Sequence, residues 1–140
     1  MKKVLCIGSV TTDVIIKPVD ALPTPGELQF IDSSSMFVGG CASNASIDLA
    51  KLGVPVSLCV KLGKDLFGHF VYDTCKEAGV DVRGCVMDEG VQTTTSIVCV
   101  NSDGERSFLY NGGSTSAMTD KDISDELIAD ADIVFLAGAL

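Results

Sequence analysis

The residues best suited to do chemistry lie between positions 39 and 63, GGCASNASIDLAKLGVPVSLCVKLG. Gly39-Gly40 forms a turn with no Cβ in the way, so the backbone there can come close to a ligand. A helix opening directly after the turn leaves main-chain N–H groups pointing out of it. Asn44, four residues beyond Gly40, adds an amide that both donates and accepts. Neutral hydroxyl groups need a donor and an acceptor at once, and this arrangement offers both. On the glycine pair alone, a plain helix-start turn with Asn44 folded against its own backbone is the simpler reading.

These residues must be held by regular elements. KVLCIG at 3–8 is a short strand, apolar after Lys3, of the kind buried in a parallel sheet. DVIIK at 13–17 is a second extended piece, followed by a turn-rich stretch with Pro18, Pro23, Pro25 and Gly26. Residues 27–38 are strand-like. The glycine pair then opens a helix through Lys51, which Gly53 and Pro55 end. VSLCVKL at 56–62 reads as a strand, with Val56, Leu58, Val60 and Leu62 on one face. Asp65 is a good N-cap for a helix over about 66–78, stopped at Gly79. The segments 93–100 and 106–110 flank Asp103-Gly104 and read as a hairpin. A last helix fits 123–129, and DIVFLAG at 132–138 reads as a buried strand. Helix, strand, helix is the rhythm of an α/β sheet.

Composition narrows the function. Of the 140 residues, 46% are hydrophobic, enough for a real core. Residues 1–70 carry six basic and six acidic side chains, whereas residues 71–140 carry four and thirteen, so the whole net charge of −9 sits in the second half. Phosphate backbones demand clustered Lys and Arg, which argues against nucleic acid; the acidic half reads as a solvated face. The six cysteines never occur as C-x-x-C, and His69 is the only histidine, so no zinc-ligand spacing exists. Most of them sit in apolar runs and read as buried, reduced thiols in a cytoplasmic protein. No stretch approaches the roughly 20 apolar residues of a membrane helix. Gly8 is followed by SVTTD rather than G-x-x-G, which speaks against a dinucleotide-binding enzyme.

The spacing across 39–63 resembles the first signature of the ribokinase-like (PfkB-type) carbohydrate kinases: two small residues, a short gap, Asn, a small residue, then two glycines at fixed distances. GSVTTDV at 8–14 resembles that family's strand-end motif, GKDLFG at 63–68 its next loop, and DGERSFLY at 103–110 its lid hairpin. The resemblance spans nearly the whole chain in order. It implies an α/β, Rossmann-like ribokinase fold: a parallel sheet with a small β-lid built from segments near 13–17, 28–37 and 92–110. It also implies sugar binding by Asp13, Gly39, Gly40 and Asn44. A carboxylate such as Asp13, read as standing at the C-terminal end of the first strand, can accept hydrogen bonds from two adjacent hydroxyls. A water-facing turn aspartate is the alternative. Thr11 stands where ribose-specific members carry Asn, and Cys41 follows the glycine pair where many relatives have Asn, Asp, Gly or Lys.

The family's catalytic Gly-Ala-Gly-Asp stretch does not occur in these residues, and no G-x-x-x-x-G-K-[ST] loop replaces it. The resemblance therefore implies a truncated N-terminal part of one kinase domain over 1–140. The catalytic base, the ATP site and its magnesium would lie in a C-terminal part, and the 140 residues alone would be inactive. A nucleoside kinase and a non-catalytic sugar-binding or interaction module are the other readings. The resemblance further implies a small-molecule sugar as partner and a homodimer through the lid.

Overall fold

The computed structural model describes residues 1–138; Ala139 and Leu140, part of the expected chain end, lie outside the described residues. The strands β1 (Val4–Gly8), β2 (Thr11–Lys17) and β3 (Ser33–Gly39) are followed by helix α1 (Cys41–Lys51). Then come β4 (Val56–Gly63), α2 (Leu66–Glu77), β5 (Asp81–Asp88), β6 (Thr95–Val100) and β7 (Arg106–Asn111). A single helical turn α3 (Gly113–Ser116), a 3-10 turn at Asp120–Asp122, α4 (Asp125–Asp130) and β8 (Ile133–Ala137) complete the chain.

Two four-stranded sheets result. The core sheet has the order β5-β4-β1-β8, and every neighbouring pair is parallel, with Val4 registered to Val56 on one side and to Ile133 on the other. Leu58, Val60 and Leu62 of β4 point to the α1–α2 side, where they meet Ala42, Val71 and Cys75. Cys59, Leu5 and Ile7 face Leu127 of α4 on the opposite side. Burial of both faces explains why Cys59 as well as Val56, Leu58, Val60 and Leu62 of β4 are apolar. The second sheet, in the order β3-β2-β6-β7, is mixed: β2 is parallel to β6 and antiparallel to β3, and β6 is antiparallel to β7.

Several expectations need correcting. The strand expected over 27–38 begins only at Ser33, because the segment before it is exposed and makes a turn closed by Glu27 N–H donating to Thr24 O. The sequence reading contains no strand at 81–88, yet β5 forms there; charged Asp81 and Arg83 and central Gly84 obscure its pattern. The last helix starts at Asp125, where Ser124 Oγ accepts from Leu127 N–H at 3.3 Å. The strand read as buried at 132–138 is an edge strand. Among the described residues β8 pairs with β1 alone, and Ile133 through Leu136 are exposed, Leu136 to 68%.

Candidate functional site

The chain passes between the two sheets four times: at Ser9–Val10, at Gly40, through 89–94, and at Gly112. The candidate site residues gather at these passages because a sheet can project side chains over its neighbour only where the chain leaves one for the other.

Gly40 is the sharpest constraint. Its φ is +93°, a left-handed value that disfavours any side chain, and a Cβ there would sit 2.6 Å from Ser9 O and from Val10 Cα. The glycine is thus required for α1 to start against the turn after β1. The expectation had both glycines make room for a ligand; Gly40 makes room for the chain's own backbone. Gly39 makes room for a neighbour as well: a side chain there would run into the Asp13 carboxylate. The expected free N–H groups at the helix start are also partly taken. Cys41 N–H donates to Ser9 Oγ at 3.0 Å and Ala42 N–H to Ser9 O at 3.1 Å, so Ser9 caps a helix whose own N-cap, Gly40, has no side chain.

Asp13 is the third residue of β2, on the second sheet, rather than at the end of β1. It is half-buried against Gly39, and burial pushes its carboxyl pKa up while the Thr11 hydroxyl pulls it down. By register, its side of the sheet also carries Phe37, Ser96 and Tyr110. Asn44 lies in the first turn of α1, exposed, with its main-chain N–H bonded to Gly40 O at 3.0 Å; among the described residues its side-chain amide takes no hydrogen bond. Asp13 thus touches one glycine of the pair, and Asn44 is bonded to the other.

Other parts of the signature prove architectural. Ser46 is buried and donates to Ser43 O at 2.8 Å. Gly53 takes a φ of +78° just beyond α1. Gly63 lets residues 91–93 cross the end of β4, since a Cβ there would lie 2.5 Å from Thr93 N. Asp65 caps α2 through Gly68 N–H (2.8 Å) and also accepts from Thr93 N–H (2.8 Å) and Thr93 Oγ1 (2.7 Å). These bonds hold its carboxyl below the usual range despite partial burial, so Asp65 belongs to the frame. Cys41 is exposed beside Ser9, whereas Cys6, Cys59, Cys75 and Cys99 are buried; all six cysteines are free. Burial pushes the Cys6 and Cys75 thiols up to about 11, which keeps them protonated and inert.

Sequence reasoning missed a cluster of buried hydroxyls: Thr12, Thr93, Thr94 and Ser114. Thr93 to Thr95 looked only like β-forming residues, and nothing in their spacing marked them as linkers. Two clefts flank this cluster. One of about 640 Å³ lies between the start of α2 (Leu66, Phe67) and the second sheet's Thr95, Ile97 and Leu109. The register puts those three on the side away from Asp13. The other, of about 500 Å³, opens at Gly8, Thr115 and Gly138, beyond the C-terminal ends of β1 and β8. Crevices at such strand ends are where open α/β sheets bind ligands. Neither cleft is lined by Asp13 or Asn44, so cleft size does not decide the site.

Comparison with known proteins agrees with this architecture. The profile described as "pfkB family carbohydrate kinase" matches residues 1–140. An ATP-dependent ribose-1-phosphate kinase of Halopiger xanaduensis is 35% identical over 97% of this chain and 46% of its own length. Fructokinase-2 of Oryza sativa subsp. japonica is 34% identical over 68% of this chain and 29% of its own. Among solved structures, Arabidopsis thaliana ribokinase complexed with ribose and ATP superposes with a TM-score of 0.85 at 26% identity, covering 96% of this chain and 45% of that one. Fructokinase from Xylella fastidiosa gives 0.79 at 28% identity, over 96% and 40%. The chain therefore spans less than half the length of these relatives.

Proposed function

The chain belongs to the pfkB family of carbohydrate kinases, and on that premise we propose that it is the sugar-binding portion of an ATP-dependent kinase acting on a sugar hydroxyl. The observation that carries this reading is the joint placement of Asp13 and Asn44. The acceptor-only carboxylate of Asp13 lies against Gly39, and Asn44, whose amide can donate and accept, stands one helical turn beyond Gly40.

In this reading Asp13 accepts from adjacent sugar hydroxyls, Asn44 donates and accepts at the opposite edge, and the turn at Gly39-Gly40 sets their separation. The second sheet acts as a lid, its Asp13 side closing over the sugar. ATP supplies the phosphoryl group, and a sugar hydroxyl attacks it in line. The chain's own residues contribute orientation: they bind the sugar, fix its rotation and shield it from water. Among the described residues no three His, Cys, Asp or Glu side chains converge as a metal-ligand set.

The substrate is proposed to be neutral. β2, β3 and α1 carry only Lys17 and Lys51 as basic residues, each the last residue of its element, whereas a phosphorylated sugar calls for a cation beside it. Exposed Phe37, Phe108, Leu109 and Tyr110 on the second sheet suit a homodimer through the lid. No described helix is long and apolar enough to cross a membrane, and the reduced cysteines suit the cytoplasm.

Calorimetric titration of the chain with D-fructose and D-ribose tests the reading. A neutral sugar should bind, and Asp13→Ala should weaken it by about 1.5–3 kcal/mol, one to two decades in Kd. Asn44→Ala should weaken it less, with an unchanged melting temperature. Binding by Asp13→Ala within about twofold of wild type would remove Asp13 from the site.

A further inference from the structure

The four passages between the sheets are tied to one another by hydroxyls. Thr94 Oγ1 donates to Gly112 O at 2.9 Å and accepts from Thr115 N–H at 2.8 Å. Thr94 N–H donates to Ser114 Oγ at 3.3 Å. Thr94 O accepts from Thr12 N–H at 2.9 Å and from the Thr11 hydroxyl at 3.3 Å. Thr115 Oγ1 donates to Val10 O at 2.8 Å and accepts from Val10 N–H at 3.3 Å. Val10 is fully buried, and without that hydroxyl its N–H and C=O lose the partner they have here. The residue before it, Ser9, caps α1 through Cys41 and Ala42.

Thr115 therefore stands at a junction. On one side its main chain meets Thr94, whose carbonyl holds the Thr11–Thr12 start of β2, two residues before Asp13. On the other, its hydroxyl meets Val10, next to the residue that seats the start of α1 and hence Asn44. We propose that Thr115 is a positioning residue that fixes the Asp13 strand relative to the Asn44 helix; this rests on the sugar-binding reading above. Its hydroxyl acts by pinning Val10 in both directions, and the second sheet takes its attitude over the crevice from that bond.

The test compares Thr115→Val, which keeps the shape and loses the hydroxyl, with Thr115→Ser, which keeps the hydroxyl. Ser57→Ala serves as control: it removes another buried hydroxyl, bonded to Asp81 at 3.1 Å near the start of β4 and remote from the crevice. Thr115→Val should raise the Kd for D-fructose or D-ribose by about tenfold, and Thr115→Ser should return it to within about twofold. Ser57→Ala should lower the melting temperature comparably, by about 4 °C, with unchanged affinity. Wild-type affinity in Thr115→Val, or no rescue by Thr115→Ser, overturns the proposal. Should the wild-type chain bind neither sugar, the sugar-binding reading fails separately, and amide residual dipolar couplings decide the positioning role. The second-sheet couplings must then report a changed orientation against the core sheet in Thr115→Val but not in Ser57→Ala; identical alignment in both overturns it.

Discussion

The two sheets draw on similar β-forming residues and are buried very differently. In the core sheet, Leu58, Cys59, Val60 and Leu62 of β4 are wholly buried between α1 and α2 on one side and α4 on the other. In the second sheet, Phe37, Phe108, Leu109 and Tyr110 are more than half exposed. The central strands β1 and β4 of the core sheet obtain their stability by excluding water from both faces. The second sheet is secured chiefly at its base, by buried hydroxyls at the passages between the sheets, and its outer strands keep apolar surface open for a ligand or a second copy. Stability is thus concentrated in one region and the proposed binding chemistry at the border with the other.

The largest expected effect sharpens that contrast. Leu58→Ala should destabilise the fold by about 2–5 kcal/mol, read from denaturant unfolding. Leu58 is 0% exposed and packed on all sides, so little collapse can fill the cavity. A loss below about 1 kcal/mol would mean that the core sheet is not the stabilising unit.

The second effect is one of sign. Burial raises the folded-state pKa of Asp13, so the stability linked to that group is fully present below the unfolded carboxyl pKa, about 3.9, and is lost as pH rises through the folded value. At pH 7 the ionised carboxylate therefore opposes folding, and Asp13→Asn should melt at an equal or higher temperature while sugar affinity falls. Asp81 on β5 behaves oppositely. Hydrogen bonds from Arg83 hold its pKa at about 2, so its contribution is present above the unfolded value and disappears as pH falls toward 2. Asp81→Asn should melt lower at pH 7. Melting curves of both variants between pH 3 and pH 7 check this; the same sign for both would break the contrast between the proposed binding carboxylate and a structural one.

The smallest effect is expected on the second sheet's surface. Phe108→Ala, at 57% exposure, should change unfolding stability by no more than about 0.5 kcal/mol. If sedimentation shows a dimer in the wild type, the same variant should weaken it. A loss comparable to Leu58→Ala in a monomer would show that the second sheet carries a core of its own.

Much of the fold was legible in the residues. The strand patterns at 3–8 and 56–62, Asp65 as a cap, Gly53 beyond α1 and the Asp103-Gly104 turn each act through their own backbone or immediate neighbours, so local pattern was enough to place them. β5 was not legible, because Asp81, Arg83 and Gly84 break its alternation and it forms only by pairing with β4. The site divides along the same line. Gly39-Gly40 and Asn44 follow from spacing along one stretch of chain, and Asp13 from its resemblance to a family motif.

Contacts that span long separations were decided by tertiary structure. Gly40 serves the backbone of Ser9 and Val10, about thirty residues earlier; Gly39 serves Asp13; Thr115 bonds Val10 across 105 positions. A hydroxyl or a glycine has the same local propensity whether its partner is water or a buried carbonyl, and only the folded chain brings that partner within hydrogen-bond reach.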